Sequence, residues 1–226
     1  MPQDCTHICI IENTTLVVLA CILLLLVYKK AWQDKAMRFI LINAAYSFAT
    51  NLFSLFHPIT TVTYDTLSNL TMHIDTLSAL GFFYHLWNNS RWHKFLRYSV
   101  APVILVWLGT FIVMRDLQYH WWTLLMPSVW YLAAGIYALY FLYKKGNFQE
   151  TSFYVSRFLL ITGFLFYNFV YIVIEICYIY FKGVSNSADA WNINYWSYLI
   201  FRVMMLAGVI AWYARPGIRK AYAFNK

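Results

Sequence analysis

The stretch VTYDTLSNLTMHIDTLSALGFFYHLW, residues 62–87, decides how this chain is organised. About 20 residues suffice to cross a bilayer as a helix, so it is long enough, yet it carries Asp65, Asn69, His73 and Asp75. Six other stretches are more plainly apolar: about 9–28, 38–57, 95–114, 121–143, 157–181 and 190–214. Read as a loop, 62–87 leaves six crossings. Read as a helix shielded from lipid by its neighbours, where polar side chains are tolerated, it makes seven.

Lysine and arginine choose between the two, because cytoplasmic loops collect them. With seven crossings, one side receives Lys29, Lys30, Lys35, Arg38, Arg91, Lys94, Arg97, Lys144, Lys145, Arg157, Arg215, Arg219, Lys220 and Lys226, which are 14 of the 17 basic residues. Only Asp34 and Glu150 dilute that side. Arg115 and Lys182 fall opposite, and Arg202 lies inside a span. Omitting 62–87 destroys the alternation. The sequence therefore predicts an all-α integral membrane protein, a seven-transmembrane-helix bundle with the N-terminus outside and the C-terminus cytoplasmic, and residues 1–226 as a single domain.

Composition agrees. Of 226 residues, 62% are hydrophobic, 21% aromatic and only 12% charged, with a mean hydropathy of +0.55. Seven spans at about 20 residues each leave no room for a soluble catalytic module of useful size, so a kinase or nucleotide-binding fold is excluded. The net charge of +8 then reads as a topology label, with attraction to anionic lipid second and no nucleic-acid partner. The first 15 residues hold no Lys or Arg; lacking a basic n-region, the first stretch is expected to stay as a span. Trp121, Trp122, Trp191 and Trp196 at one boundary and Trp32, Trp87, Trp92 and Trp212 at the other read as interfacial belts. Cys5, Cys9, Cys21 and Cys177 have no metal spacing; Cys5 and Cys9 could pair with each other, or one of them with Cys177, but free thiols are the favoured reading. The Asn-x-Ser/Thr triplets at Asn13, Asn69 and Asn88 fall in or just beneath the membrane and read as coincidence.

Ionisable groups inside spans are costly and so point to function. Asp75 and Arg202 sit near the middle of their helices and share a depth; either alone in hydrocarbon costs several kcal/mol, which predicts that they pair. His73 lies about 3 Å further out. Glu175, Asp65 and Glu12 are nearer the outside, and His57 caps the second helix there, which suggests a polar cavity opening outward. Helical spacing makes the groups converge: Asp65, Asn69, His73 and Thr76 share one face of helix three and Ser68, Thr71, Asp75 and Ser78 a second. Asn43, Ser47, Thr50 and Ser54 line helix two, Asn168, Tyr171, Glu175 and Tyr178 helix six, and Trp191, Tyr195, Tyr198 and Arg202 helix seven. The candidate ligand-binding set is His73, Asp75, Arg202, Glu175, Asn69, Asp65, Tyr171 and Tyr198. The bland alternative is that Asn and Ser serve as interhelical hydrogen-bond glue.

A receptor or sensor that takes a small molecule or ion from outside and signals through a cytoplasmic or membrane partner fits this layout best. A small-solute or proton-coupled transporter is the alternative, weakened by the lack of an internal repeat. An intramembrane enzyme fits less well, since no nucleophile–base set is evident and no His pair has i, i+4 spacing for a metal; no cofactor is expected. A retinal Schiff base is excluded because no span holds a lysine.

The segments Trp191-Asn192-Ile193-Asn194, Ile200, Arg202 and Ala207-Gly208-Val209-Ile210, with 69–75 leading into Tyr84 and the basic 91–97 stretch, resemble a loose family of small, largely uncharacterised seven-helix bacterial membrane proteins, sometimes encoded near sensor histidine kinases. The resemblance implies the bacterial inner membrane and a role in sensing, and it carries over no site residues.

Overall fold

The computed structural model describes residues 4–56, 61–86, 90–114, 121–145, 151–180 and 187–214, and they are helical throughout apart from the short link between the first two helices. The seven α-helices are α1 (Asp4–Tyr28), α2 (Lys35–Phe56), α3 (Thr61–Leu86), α4 (Ser90–Met114), α5 (Trp121–Lys145), α6 (Thr151–Tyr180) and α7 (Ser187–Tyr213). Each expected stretch is a helix over its described residues, the polar one, seen as Thr61–Leu86, included. Several start earlier than hydropathy suggests: α4 at Ser90 rather than near 95, and α6 at Thr151 rather than near 157. Hydropathy marks where apolar side chains begin, whereas the i→i−4 backbone ladder runs on through polar turns such as Ser90-Arg91-Trp92-His93-Lys94. By length and apolar content, segments of three helices are able to cross a membrane: Ile8–Tyr28, Tyr154–Cys177 and Asn192–Tyr213.

The link between α1 and α2 is tightly built. Lys30 adopts the left-handed conformation (φ 53°), which terminates α1, and its N–H donates to the Val27 carbonyl at 3.0 Å. A 3-10 turn, Ala31–Gln33, follows. Asp34 then caps α2: its carboxylate accepts from the backbone N–H groups of Ala36 (2.9 Å) and Met37 (3.3 Å), a cap of about 1 kcal/mol. The other carboxylate oxygen accepts from the Trp212 indole at 3.2 Å, tying the start of α2 to the end of α7.

Neighbours in sequence are neighbours in space. Helix α1 packs on α2 and α7, α2 on α3, α3 on α5, α5 on α6, and α6 on α7; α4 lies against α3 and α5. The α1 stripe Ile11, Thr15, Leu19, Ile22 and Leu26, spaced by fours and threes, is buried, as expected for one face of a helix. Helices α6 and α7 approach closely at small residues: a Cβ on Gly208 would stand 2.7 Å from Leu160 Cγ, and Ser156 Oγ donates to the Gly208 carbonyl at 2.8 Å. Glycine and serine at helix crossings allow this approach. The centre is aromatic: Phe83, Tyr131, Phe164 and Phe201, from α3, α5, α6 and α7, meet at ring separations of 4.9 to 6.0 Å.

Two tryptophans depart from the expected interfacial belt. Trp92 and Trp212 are buried, because each indole N–H has a partner inside: Trp92 donates to the Phe83 carbonyl at 2.7 Å and Trp212 to Asp34. Phe83 lies in the last turn of α3, where carbonyls lack helical partners, so this bond fastens α4 to α3. Trp32 and Trp196 are exposed, as a belt requires. Trp87, Asn88, His57 and the basic tail 215–226 lie outside the described residues.

Candidate functional site

Near the middle of α2, α3 and α7 a charged network crosses the packed interior. Arg202 is only 1% exposed. Long helical side chains lean towards the preceding turn, which directs the guanidinium back along α7 to Tyr198; Nη2 donates to that hydroxyl at 2.9 Å and to Ser47 Oγ at 2.5 Å. Nη1 donates to Asn43 Oδ1 at 2.8 Å and to Met205 Sδ at 3.6 Å. The guanidinium carbon also stands 4.4 Å from the Phe201 ring centroid and 4.6 Å from that of Tyr198, an attractive placement for a cation.

Asn43 is the hinge of this arrangement. Its carbonyl faces the cation, while Nδ2 donates to Asp75 Oδ1 at 2.5 Å and to Ser78 Oγ at 3.0 Å. A primary amide is an acceptor at one end and a donor at the other, so it joins an arginine to an aspartate with every contact correctly matched. The sequence predicts that Asp75 and Arg202 pair; in the structure the link runs through Asn43, and none of the hydrogen bonds of Arg202 goes to Asp75. Ser78 Oγ in turn donates to the Asp75 carbonyl at 2.8 Å.

The α2 contribution follows a strict i, i+4, i+8 stripe: Asn43, Ser47 and Asn51, the last donating to the Tyr198 hydroxyl at 3.4 Å. Sequence spacing selects Asn43 and Ser47 correctly but continues through Thr50. The Thr50 hydroxyl instead donates to the carbonyls of Tyr46 and Ser47 in its own helix, both at 3.1 Å, a common satisfaction of threonine within a helix.

Of the candidate residues, the structure brings Asp75, Arg202 and Tyr198 together. Tyr171 stands further along α6, its ring 6.2 Å from that of Tyr167; Tyr167 stacks on Phe201 at 5.4 Å and meets Tyr198 at 5.3 Å. Glu175 is buried one turn beyond Tyr171. Asp65, Asn69 and His73 belong to α3, and their side chains lie outside the described residues. Cys9, Cys21 and Cys177 are free thiols. Among the described residues no group of three His, Cys, Asp or Glu side chains is placed to hold a metal ion.

Tyr131 of α5 joins this site without any sequence signal, since nothing in the chain distinguishes it from Tyr137 or Tyr140. Its side chain is 2% exposed, and its hydroxyl feels the charges of Asp75 and Arg202 but has no hydrogen-bond partner among the described residues. The Asn168 side chain is close enough to act on that hydroxyl, and its amide donates to the Phe164 carbonyl at 2.9 Å. Arg202 Nε likewise has no partner, so a fifth guanidinium donor is left over after Nη1 and Nη2 are used. A buried donor without a partner costs about 1–3 kcal/mol. The site thus combines a charge pair held through an amide with two donors able to take an acceptor.

No protein-family model matches the chain, and no curated protein or solved structure does.

Proposed function

We propose that this chain is a seven-span protein of the bacterial inner membrane, N-terminus outside and C-terminus cytoplasmic. In this reading it is a receptor or sensor whose polar intramembrane pocket, opening outward, takes a small ligand or ion and signals through a partner protein. The membrane reading is supported by the outward faces of the helices. On α7 the exposed row is Ile193, Trp196, Ile200, Val203 and Ile210. On α2 the exposed row begins at Lys35 and Arg38 and continues as Ile42, Ala45, Ala49 and Phe53. On α4 it begins at Lys94 and Arg97 and continues as Ile104, Leu105, Leu108 and Ile112. An apolar surface of this extent belongs in lipid rather than water. The basic residues at the start of the α2 and α4 rows match the basic inner side of the topology.

The observation that carries the receptor reading is the Arg202–Asn43–Asp75 network, with Arg202 Nε and the Tyr131 hydroxyl as two buried donors beside it. A ligand that offers an acceptor to those donors competes with Asn43 and Ser47 for Arg202, and so changes how α7 is held against α2 and α3. Differential binding of this kind is what shifts a two-state element. The end of α7 is tied through Trp212 to Asp34 at the start of α2, so a shift of α7 is felt at the face where the partner would bind.

The transporter reading shares the same network, since an acid and a base at one depth suit ion coupling. The two separate in sealed liposomes containing the purified chain, with internal pH and solute content followed under an imposed gradient. The receptor reading expects no flux beyond that of empty liposomes. Flux that Asp75→Asn abolishes overturns it in favour of transport.

A further inference from the structure

A second feature lies away from the network, on the flank formed by α2, α3 and α4. A groove of about 310 Å³ runs there, with Phe39, Leu77, Leu80, Leu96 and Val100 as its apolar lining and Tyr84, His85 and Arg97 at one end. Gly81 sits in its wall against the Phe39 ring, and a larger residue at that position would have to displace the ring. Ile74 and Ile104, one helical turn along from the lining residues Leu77 and Val100, are exposed, so apolar surface continues past the groove along both helices.

Its polar end is cationic. Arg97 is exposed and lines the groove, and one of its Nη atoms donates a long hydrogen bond, 3.4 Å, to the Tyr84 hydroxyl. Tyr84 is itself held by His93, stacked at 4.2 Å, and by His85, edge-on at 5.0 Å. Lys35 and Arg38 stand near enough to act on His85 electrostatically, as does Asp34 with opposite sign. The Asp34 carboxylate accepts from two backbone N–H groups and the Trp212 indole, Arg38 Nε donates to the Trp32 carbonyl at 3.0 Å, and Lys35 and Arg38 are both exposed, so two cations and one anion stand near this end.

We propose that this groove is a docking site for one anionic phospholipid, with an acyl chain along Phe39, Leu77 and Val100 and the phosphate against Arg97, helped by Lys35. Charge and shape agree on this occupant. An apolar trough alone would accept any lipid chain, and a cationic patch alone any phosphate, but a trough that ends in a guanidinium selects a molecule with both parts. The anionic lipids of the cytoplasmic leaflet meet the basic end of the molecule at the right depth. The inference rests on the seven-span reading and not on the receptor reading. A wrong topology would show as Cys5 and Cys9 labelling, in intact cells under reducing conditions, by a membrane-impermeant thiol reagent only after lysis, whereas a wrong lipid assignment shows only in the binding experiment.

That experiment is native mass spectrometry of the full chain in detergent, titrated with phosphatidylglycerol, phosphatidylcholine or water-soluble glycerol phosphate. One phosphatidylglycerol should be retained at lower concentration than phosphatidylcholine, and glycerol phosphate should not displace it. Arg97→Gln, an exposed substitution that leaves packing alone, should weaken phosphatidylglycerol about fivefold, equivalent to about 1 kcal/mol for one basic residue at a membrane surface, with phosphatidylcholine unchanged. Val100→Trp, which fills the trough, should remove the bound lipid. Equal retention of both lipids overturns the proposal, and so does wild-type retention in Arg97→Gln. Displacement by glycerol phosphate overturns it in favour of a free-phosphate site.

Discussion

Phe201 and Arg202 are consecutive residues of α7, and both are buried, yet they belong to two regions held together by different physics. Phe201 faces the aromatic cluster with Phe164 and Tyr167, where contacts are numerous, weak and non-directional. Arg202, though its guanidinium also lies over the Phe201 and Tyr198 rings, reaches Asn43, Ser47 and Tyr198 through hydrogen bonds that each depend on a matched donor and acceptor. A cluster of rings loses stability in proportion to what is removed. A charged network loses little when emptied as a whole but much when broken in one place, because the partner left behind is an uncompensated buried charge.

That difference can be broken at its strongest point. Phe164→Ala and Arg202→Met should each cost about 3–5 kcal/mol in thermal unfolding followed in detergent. In a background of Asp75→Asn they should part company: the cost of Arg202→Met falls by about 0.5–3 kcal/mol, the range for coupled neighbours, while Phe164→Ala costs the same as before. If both substitutions simply add to Asp75→Asn, Asn43 does not transmit charge between α3 and α7, and the two regions are alike. A smaller effect tests the anchor beneath them. Asp34→Ala removes the α2 cap and the Trp212 bond together and should cost about 1–2 kcal/mol, with Asp34→Asn retaining most of it; equal loss in both variants would mean that charge, not hydrogen bonding, holds that joint.

The smallest expected effect is the most informative about the boundary between the regions. Tyr131 packs its ring against Phe83 and Phe164, and its hydroxyl feels the charges of Asp75 and Arg202. Since that buried hydroxyl has no hydrogen-bond partner among the described residues, Tyr131→Phe should raise stability by about 1 kcal/mol, the low end of the cost of an unpartnered buried donor. A loss of more than about 1.5 kcal/mol, the upper range of one hydrogen bond, would show that the hydroxyl has an acceptor of its own and belongs to the network rather than to the aromatic cluster.

Much of the helical layout was legible beforehand because both of its signals are local. An apolar run of bilayer length marks a helix, and the 62–87 stretch, ambiguous by composition, becomes α3 once the alternation of basic residues is counted. Half of the site was legible for a related reason: a residue costly to bury, such as Arg202 or Asp75, announces itself wherever it falls in an apolar run. What escaped were residues without an unusual cost. Tyr131 is one tyrosine among 19, and Asn51 differs from Thr50 only in which neighbour its helix turns it towards. Trp92 and Trp212 were misplaced because an indole serves an interface and an interior equally well, and only a carbonyl or carboxylate within reach decides between them.

The sequence by itself therefore determined the helices, their number and the ionisable residues that must find partners, because hydrophobic length and the cost of burying charge act along one chain. Only the tertiary structure decided how the partners are joined. That Asn43 stands between Asp75 and Arg202, that Tyr131 closes the site from α5, and that α4 is fastened by Trp92 to the end of α3 all depend on which helix faces which. Such choices are made by packing between residues far apart in the chain, where a side chain's reach and the direction of its hydrogen bonds, rather than its hydropathy, set the outcome.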